Sequence, residues 1–314
     1  MSDKPARQYM YSEIFDSIQG EGMYTGNWTL WLRFFLCNLQ CDGFGQMFPT
    51  DPDSWELPYK DFDVSSVKKV EDLPVWDKGC DSSYTWSKKY KHLMAKQTSR
   101  EIVDKIKEVA SNEYNPKGLF KHPISGQTAH MCFTGGEPLM PHAQDAFCEI
   151  WEHFKYDENV PSSVTFETNG TQKLRPAFKD YVSNNGTFNC HLFISCSPKL
   201  WTVAGEKPEK AIKPELVKEY DWLASQSYNI GKNLPRGQLK FVMGPKQEQW
   251  DELDEVISKF RDAGVMWPVY IMPVGATVEE QETGAGEVAE MAFKRGFNVS
   301  GRLHCYLFGN AIGT

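Results

Sequence analysis

Apolar segments of two kinds alternate along most of the chain. Short apolar runs predict strands, and longer stretches with apolar positions every three to four residues predict helices. The predicted strands are 29–35, 130–133, 164–167, 191–195, 238–243, 268–272 and 302–308. The predicted helices are 100–111, 142–154, 174–183, 214–224, 248–263 and 286–295. Strands separated by helices predict a parallel sheet, and right-handed crossovers would curl it into a full or partial barrel whose site lies at the C-terminal ends of the strands.

Residues 43–96 depart from this alternation. The segment is rich in Asp, Lys and Pro and shows no clear period, yet it contains many aromatic residues, among them Trp55, Trp76 and Trp86. Aromatic residues in that number are untypical of a disordered linker. We therefore predict one α/β domain over 1–314, with an ordered flap inserted at about 43–96.

Charge and composition narrow the range of functions. The net charge of −8 provides no basic surface for direct binding of nucleic acid. No apolar run approaches the roughly 18 residues that a membrane span requires, and the polar start of the chain does not resemble a signal peptide. The cysteines outside the motif described next are scattered through apolar patterns, which favours free thiols in a reducing compartment. We expect a cytoplasmic enzyme with no membrane partner.

Two cysteines follow the first predicted strand at a spacing with chemical meaning. Cys37 and Cys41 have the spacing of the first two cysteines in CxxxCxxC, the signature of radical SAM enzymes, but Phe44 occupies the third position. The next cysteine is Cys80. Three thiolates can hold a [4Fe-4S] cube and leave one iron open, which S-adenosylmethionine (SAM) occupies in radical SAM enzymes. The function therefore depends on whether Cys80 completes the cluster.

Several polar groups lie at predicted strand ends. Gly135 and Gly136 allow the backbone to approach a ligand closely, and Glu137 could accept hydrogen bonds from an ammonium group. The alternative is a tight turn with a capping acid. Arg33 could bind a carboxylate through two hydrogen bonds, or it could be a solvated arginine beside a hairpin.

Two further segments allow both a functional and a structural interpretation. Glu167, Thr168 and Asn169 end a predicted strand, where they could contact a ligand or simply form an Asn-Gly turn with Gly170. His304 is predicted on an apolar strand, where a hydrogen-bonded core histidine is more common than a catalyst.

Together these motifs resemble the family of 7-carboxy-7-deazaguanine synthases, which are radical SAM enzymes. The matching blocks follow the family order and cover most of the chain outside the insertion. They are Ser17–Gly22, Arg33, Cys37–Cys41, Thr134–Pro138, Glu167–Gly170, Ser195–Lys199 and Arg302–His304.

The resemblance implies how the interrupted cysteine motif is completed. In the family, the third cluster cysteine is followed by Asp-Thr, whose hydroxyl binds magnesium, and here Cys80 is followed by Asp81 and Ser82. Cys37, Cys41 and Cys80 would then hold the [4Fe-4S] cluster, and the Ser82 hydroxyl would bind Mg²⁺, an ion that favours oxygen ligands. The alternative for Ser82 is an ordinary turn serine.

The resemblance also implies an activity. It is the conversion of 6-carboxy-5,6,7,8-tetrahydropterin to 7-carboxy-7-deazaguanine with loss of ammonia, a lyase reaction in the biosynthesis of 7-deazapurines such as preQ0 and queuosine. No catalytic side chain is assigned beyond the cluster and SAM. The implied substrate contacts are Ile18, Gln19, Gly20, Glu21, Arg33, Thr134 and Thr314. The implied SAM contacts are Gly136, Glu137, Glu167, Asn169, Ser195, Cys196, Ser197, Lys199, Met272, Pro273, Val274 and Gly275. The partners implied are a reductase or flavodoxin-type electron donor and a second copy of the chain.

The cysteine motif also allows two other functions. A radical SAM activase, which generates a glycyl radical on a partner protein, shares the cysteine loop but not the Ser17–Gly22 block. A structural zinc protein could use Cys37, Cys41, Cys80 and a histidine, although zinc sites favour CxxC pairs.

Overall fold

The computed structural model describes residues 5–184, 188, 190–227, 234–309 and 311–313. Within them one sheet contains the strands β1 (Gln8–Ile18), β2 (Trp28–Phe34), β3 (Ala95–Thr98), β4 (His130–Gly135), β5 (Ser163–Thr168), β6 (His191–Cys196), β7 (Gly237–Met243), β8 (Val269–Pro273) and β9 (Asn298–Val299). The helices are α1 (Pro58–Asp61), α2 (Ser99–Val109), α3 (Pro141–Phe154), α4 (Pro176–Ser183), α5 (Trp201–Ala204), α6 (Pro208–Ala211), α7 (Pro214–Gln226), α8 (Gln247–Asp262), α9 (Val278–Glu282), α10 (Ala285–Lys294) and α11 (Leu303–Phe308).

The sheet is wound in one direction. Its strand order is β3-β1-β2-β4-β5-β6-β7-β8-β9. Apart from β3, which lies at the edge beside β1, neighbouring strands in the sheet are therefore consecutive in the chain. Strand β1 is antiparallel to β2 and β3, and every neighbouring pair from β2 to β9 is parallel. The two edge strands, β3 and β9, do not pair, so the barrel stays open. The predicted α/β class with a partial barrel is confirmed.

The main core lies between the sheet and the helices that cover it. Phe133 of β4, Phe166 of β5 and Phe147 of α3 are fully buried, and their ring centroids lie 5.1 to 5.4 Å apart. Such aromatic contacts add to the free energy gained by removing apolar area from water. This packing fixes the strands and therefore the positions of the loops that follow them.

The sequence prediction for the C-terminal segment was wrong. Residues 303–308 of the predicted strand form helix α11, so His304 lies on a helix, and the last strand among the described residues is the short β9 before it. A short apolar run cannot be assigned by periodicity alone. Here the Leu303 amide donates to the Gly20 carbonyl oxygen at 2.9 Å, which places the start of α11 on the turn after β1.

The inserted segment has a small hydrophobic cluster of its own. Its buried residues are Tyr59, Val70, Leu73, Trp76, Tyr84 and Tyr90. The regular elements of this segment are short 3₁₀ helices, α1 and the start of β3, which pairs with β1, and turns and loops make up the rest. None of the helices in the described part of the chain has both the length and the apolar composition needed to cross a membrane.

Candidate active site

A cavity of about 630 Å³ lies at the C-terminal ends of the parallel strands. Residues at or just beyond the ends of β2, β4, β5, β6 and β8 line it, together with the inserted segment and the C-terminal residues. This edge of a one-way wound parallel sheet is where ligand sites form, and the volume is in the usual range for small-molecule pockets.

Cys37, Cys41 and Cys80 all line this cavity. The thiols pack into one small cluster with Leu39 and Ala204. The Cys41 backbone has a φ of 57° and is held by Glu206, whose carboxylate accepts from the Gln40 and Cys41 amides at 2.6 and 2.9 Å. A positive φ is unfavourable for a cysteine, so these hydrogen bonds fix the loop in a shape that a free chain would rarely adopt.

One backbone hydrogen bond brings Cys80 to the cysteine loop. The Gly79 amide donates to the Phe44 carbonyl oxygen at 2.8 Å, so the inserted segment leaves the loop beside the point where it enters. Cys80 therefore joins Cys37 and Cys41 despite the long segment between them in sequence. The Ser82 hydroxyl lies 3.5 Å from the Cys80 sulfur and also lines the cavity.

The electrostatics of the three thiols depend on what they bind. Burial raises the pKa of Cys37 to about 12, and it also raises the pKa of Cys41 and Cys80. Without a cation the thiols are thus neutral, and a positively charged metal centre would favour the thiolate form. Among the described residues, no group of three or more His, Cys, Asp and Glu side chains is arranged to hold a single metal ion.

The turn between β1 and β2 brings several predicted substrate contacts to the cavity. Ile18, Gln19, Gly20 and Glu21 all line it. The Gln19 side-chain amide donates to Glu167 at 2.9 Å. A side chain at Gly20 is excluded, because its Cβ would lie 1.9 Å from the His304 imidazole. Helix α11 therefore packs against this turn, and His304 on the helix lines the cavity.

A network of buried charges crosses the cavity wall. Lys240 of β7 is 3% exposed, and its ammonium group donates to Glu21 at 2.5 Å and to Glu167 at 2.9 Å. Arg302 donates to Glu21 at 3.1 Å and to Asp81 at 2.8 Å. Burial alone would raise the pKa of Glu21, but the charges of Lys240 and Arg302 hold it well below its usual value. The contacts of Glu21 with Lys240 and Arg302 are therefore between ionised groups.

Lys240 is a site residue with no role predicted from the sequence. A lysine inside the apolar run 238–243 was the available signal, because a buried lysine requires a carboxylate partner. Trp76, Tyr84 and Trp86 of the inserted segment also line the cavity without having been predicted as site residues.

Thr134 and most of the predicted SAM contacts line the cavity. The predicted SAM contacts that line it are Gly136, Glu167, Asn169, Ser197, Lys199, Met272, Pro273, Val274 and Gly275. A Cβ atom on Gly136 would lie 2.4 Å from the Leu36 carbonyl oxygen, so glycine is required where the turn after β4 meets the cysteine loop. The Asn169 side-chain amide approaches the Cys37 sulfur at 3.8 Å.

Other predicted contacts lie outside the cavity lining. Glu137 is fully buried, and its carboxylate accepts from the Leu139 amide, the Thr168 hydroxyl and the Asn169 amide at 2.7 to 2.9 Å. Ser195 and Cys196 are buried in β6, where the Ser195 hydroxyl accepts from Gln238 at 2.8 Å. Thr314 lies outside the described residues.

The buried Glu137 should make stability depend on pH. Burial raises the pKa of Glu137 from 4.5 to about 7, although hydrogen bonds from Asn169 and Thr168 oppose the rise. A carboxyl group with a higher pKa in the folded state stabilises the fold below its unfolded pKa, and this contribution is lost as the pH rises through the folded pKa. In urea unfolding of the metal-free protein, the wild type should lose stability relative to Glu137→Gln between pH 4.5 and 7. A difference independent of pH would contradict this assignment.

Comparison with known proteins agrees with the motifs. No family model matches the chain. A 7-carboxy-7-deazaguanine synthase from Rhodopirellula baltica is 26% identical over 309 residues, covering 97% of this chain and 88% of that protein. The protein of the same name from Halobacterium salinarum is 25% identical over 315 residues, covering 96% and 91%. The solved structure of QueE from Escherichia coli aligns with 94% of this chain and 93% of that chain, with 16% identity and a TM-score of 0.48.

The two relatives carry the same name, and each match extends over nearly the whole of both chains. They name the same family as the motif blocks, which follow the family order in this sequence. The chain is therefore similar to 7-carboxy-7-deazaguanine synthases over nearly its whole length.

Proposed function

We propose that this protein converts 6-carboxy-5,6,7,8-tetrahydropterin to 7-carboxy-7-deazaguanine with loss of ammonia, as a step in 7-deazapurine biosynthesis. The observation that carries the proposal is the position of Cys80, which reaches the same cavity as Cys37 and Cys41 although the family spacing is interrupted. The name of the relatives supports the choice of reaction.

The donor set fits the cofactors of this reaction. Cys37, Cys41 and Cys80 would be the three protein ligands of a [4Fe-4S] cluster, with the fourth iron open to SAM. The chemistry that these cofactors would supply when bound is abstraction of a hydrogen atom from C6 of the pterin. Asn169 and Lys199 lie in the cavity near the cysteine loop, where they would hold SAM. Trp76 and Trp86 would exclude water from the reacting atoms.

Another part of the cavity wall suits a polar, carboxylated heterocycle. Arg33 lines the cavity and would bind the pterin carboxylate through its guanidinium group. Gln19 and Thr134 offer hydrogen-bonding groups for the ring. Lys240 fixes this wall, since Glu167 binds both Lys240 and Gln19.

The shape of the cavity favours this reaction over the alternative of a glycyl-radical activase. Trp76 and Trp86 of the insertion and Ile312 and Gly313 near the C terminus all line the cavity. An activase has to admit a segment of another protein, whereas a cavity of about 630 Å³ is of the size that holds a small molecule.

The deciding experiment is anaerobic incubation of the purified protein with SAM, a reductant, magnesium and the carboxypterin. Mass analysis should show a product that has lost ammonia. A brown protein with iron and sulfide that leaves the pterin unchanged but installs a glycyl radical on a partner would support the activase. A colourless protein loaded with zinc would exclude both enzyme functions.

We propose Mg²⁺ as a further cofactor, with the Ser82 hydroxyl as one ligand and the substrate carboxylate as another. Ser82→Ala should then reduce the stimulation of turnover by magnesium more than it reduces SAM binding. Ser83→Ala is the matched control, because the adjacent Ser83 hydroxyl is buried and does not line the cavity. An unchanged magnesium titration in Ser82→Ala would count against the ligand role.

A reductase or flavodoxin-type protein is the electron donor that we propose. Two exposed apolar side chains, Met47 and Phe48, lie near the cysteine loop and support docking there. Their segment is attached through the Gly43 amide, which donates to the carbonyl oxygen of Ala204, a residue packed against Cys41. Reduction of the cluster should therefore slow in Met47→Ser/Phe48→Ser with a flavodoxin but not with dithionite.

We also propose a cytoplasmic homodimer. Tyr306, Leu307 and Phe308 of α11 expose apolar area that a second copy could cover. Light scattering of the purified protein measures its oligomeric state directly.

A further inference from the structure

The side chain of Arg33 is held by two layers of buried groups. Glu13 of β1 is its cross-strand partner in the sheet, and Glu13 Oε1 lies 2.7 Å from Arg33 Nε. The Tyr84 hydroxyl, supplied by the inserted segment, donates to the same Glu13 oxygen at 2.6 Å. Glu13 and Tyr84 are 7% and 3% exposed, so solvent cannot replace these contacts easily.

The hydrogen-bonding state of Glu13 makes the Tyr84 contact important. Its other carboxylate oxygen, Oε2, is buried and has no hydrogen-bond partner among the described residues. The Arg33 Nε hydrogen is not aligned with a described acceptor either, so the Glu13–Arg33 contact is a close ion pair without a fixed direction. The Tyr84 hydroxyl is thus the one directional contact that the described residues provide to this carboxylate.

The guanidinium group beyond this contact is available to a ligand. Arg33 lines the cavity, and no described residue accepts a hydrogen bond from its terminal nitrogens. We propose that Tyr84 is a positioning residue, which holds Arg33 through Glu13 in the orientation that binds the substrate carboxylate. This inference rests on the proposed function, and it gives the inserted segment a role in substrate recognition.

Tyr84→Phe removes only the hydroxyl group and tests the inference in the anaerobic holoenzyme. Binding is measured from the fluorescence of two oxidised probes, 6-carboxypterin and unsubstituted pterin. We expect 6-carboxypterin to bind about tenfold more weakly, the effect of losing one hydrogen bond to a charged group. The affinity for unsubstituted pterin should stay unchanged, because it has no carboxylate for Arg33.

Tyr90→Phe is the matched control. The Tyr90 hydroxyl donates to the Tyr59 carbonyl oxygen within the same small core, and Tyr90 does not line the cavity. It should leave both affinities at the wild-type level, whereas Glu13→Gln should reproduce the selective loss seen in Tyr84→Phe.

The possible results separate this inference from the proposed function. Equal weakening of both probes in Tyr84→Phe, or weakening of neither, overturns the positioning role while wild-type turnover of the carboxypterin still stands. A wild type that prefers neither probe and does not turn over the carboxypterin overturns both. Selective loss of the carboxylated probe supports the inference.

Discussion

Cys80→Ala should abolish loading of the iron–sulfur cluster as completely as Cys37→Ala. The reason is that two remaining thiolates cannot hold the cube, and among the described residues Cys80 is the one further cysteine that lines the cavity with Cys37 and Cys41. Iron and sulfide analysis of anaerobically purified protein, together with its absorbance, measures the effect.

Two other cysteines provide the controls. Cys132 is buried in β4 and Cys148 lies on α3, and neither lines the cavity. Cys132→Ala and Cys148→Ala should retain iron and sulfide close to wild type. Near-normal iron content in a folded Cys80→Ala variant would show that the third ligand lies elsewhere.

Lys240→Met should reduce the free energy of unfolding by about 3–5 kcal/mol, because it leaves the carboxylates of Glu21 and Glu167 without their shared partner. Chemical unfolding at neutral pH measures the loss. Lys218→Met is the control, since Lys218 is about half exposed and pairs with Asp221 at the surface. We expect a change of about 1 kcal/mol or less there.

A second substitution distinguishes loss of charge balance from loss of packing. In Lys240→Met/Glu167→Gln, the carboxylate that has lost its basic partner is removed while Glu21 keeps Arg302, so part of the lost stability should return. Failure of the double variant to regain stability would mean that packing around Lys240, and not its charge, accounts for the effect.

Much of the fold could be predicted from the sequence because its elements have strong periodicity. The β4 and β6 strands and the α3 and α8 helices lie within a few residues of the predicted ranges. The failure at 302–308 has a physical reason. Seven apolar-rich residues can form a strand or two helical turns, and the contact between Leu303 and Gly20, far apart in sequence, decides between them.

The site was predictable only where a residue type carries its own chemistry. The cysteines, the Gly135-Gly136 turn and Arg33 could be identified as site residues from the sequence. Few other residue types can do what a thiolate, a glycine or a guanidinium group does at such a site. Tyr84 and Lys240 could not be identified in this way. Their roles depend on Glu13, Glu21 and Glu167, which the folded sheet brings next to them. For Glu137 the sequence motif was misleading. The motif suggests a ligand contact, but the carboxylate already accepts hydrogen bonds from neighbouring residues.

The hydrogen bond between Gly79 and Phe44 has a consequence for the tolerance of this chain to changes in the segment between them. Because the intervening residues begin and end at one point, removing 44–79 would join Gly43 directly to Cys80 and recreate the uninterrupted CxxC spacing after Cys41. A segment whose two ends lie this close together can change in length without moving the three thiols. The gap in the signature is then a point where the chain can carry an additional surface without any change in the three thiols.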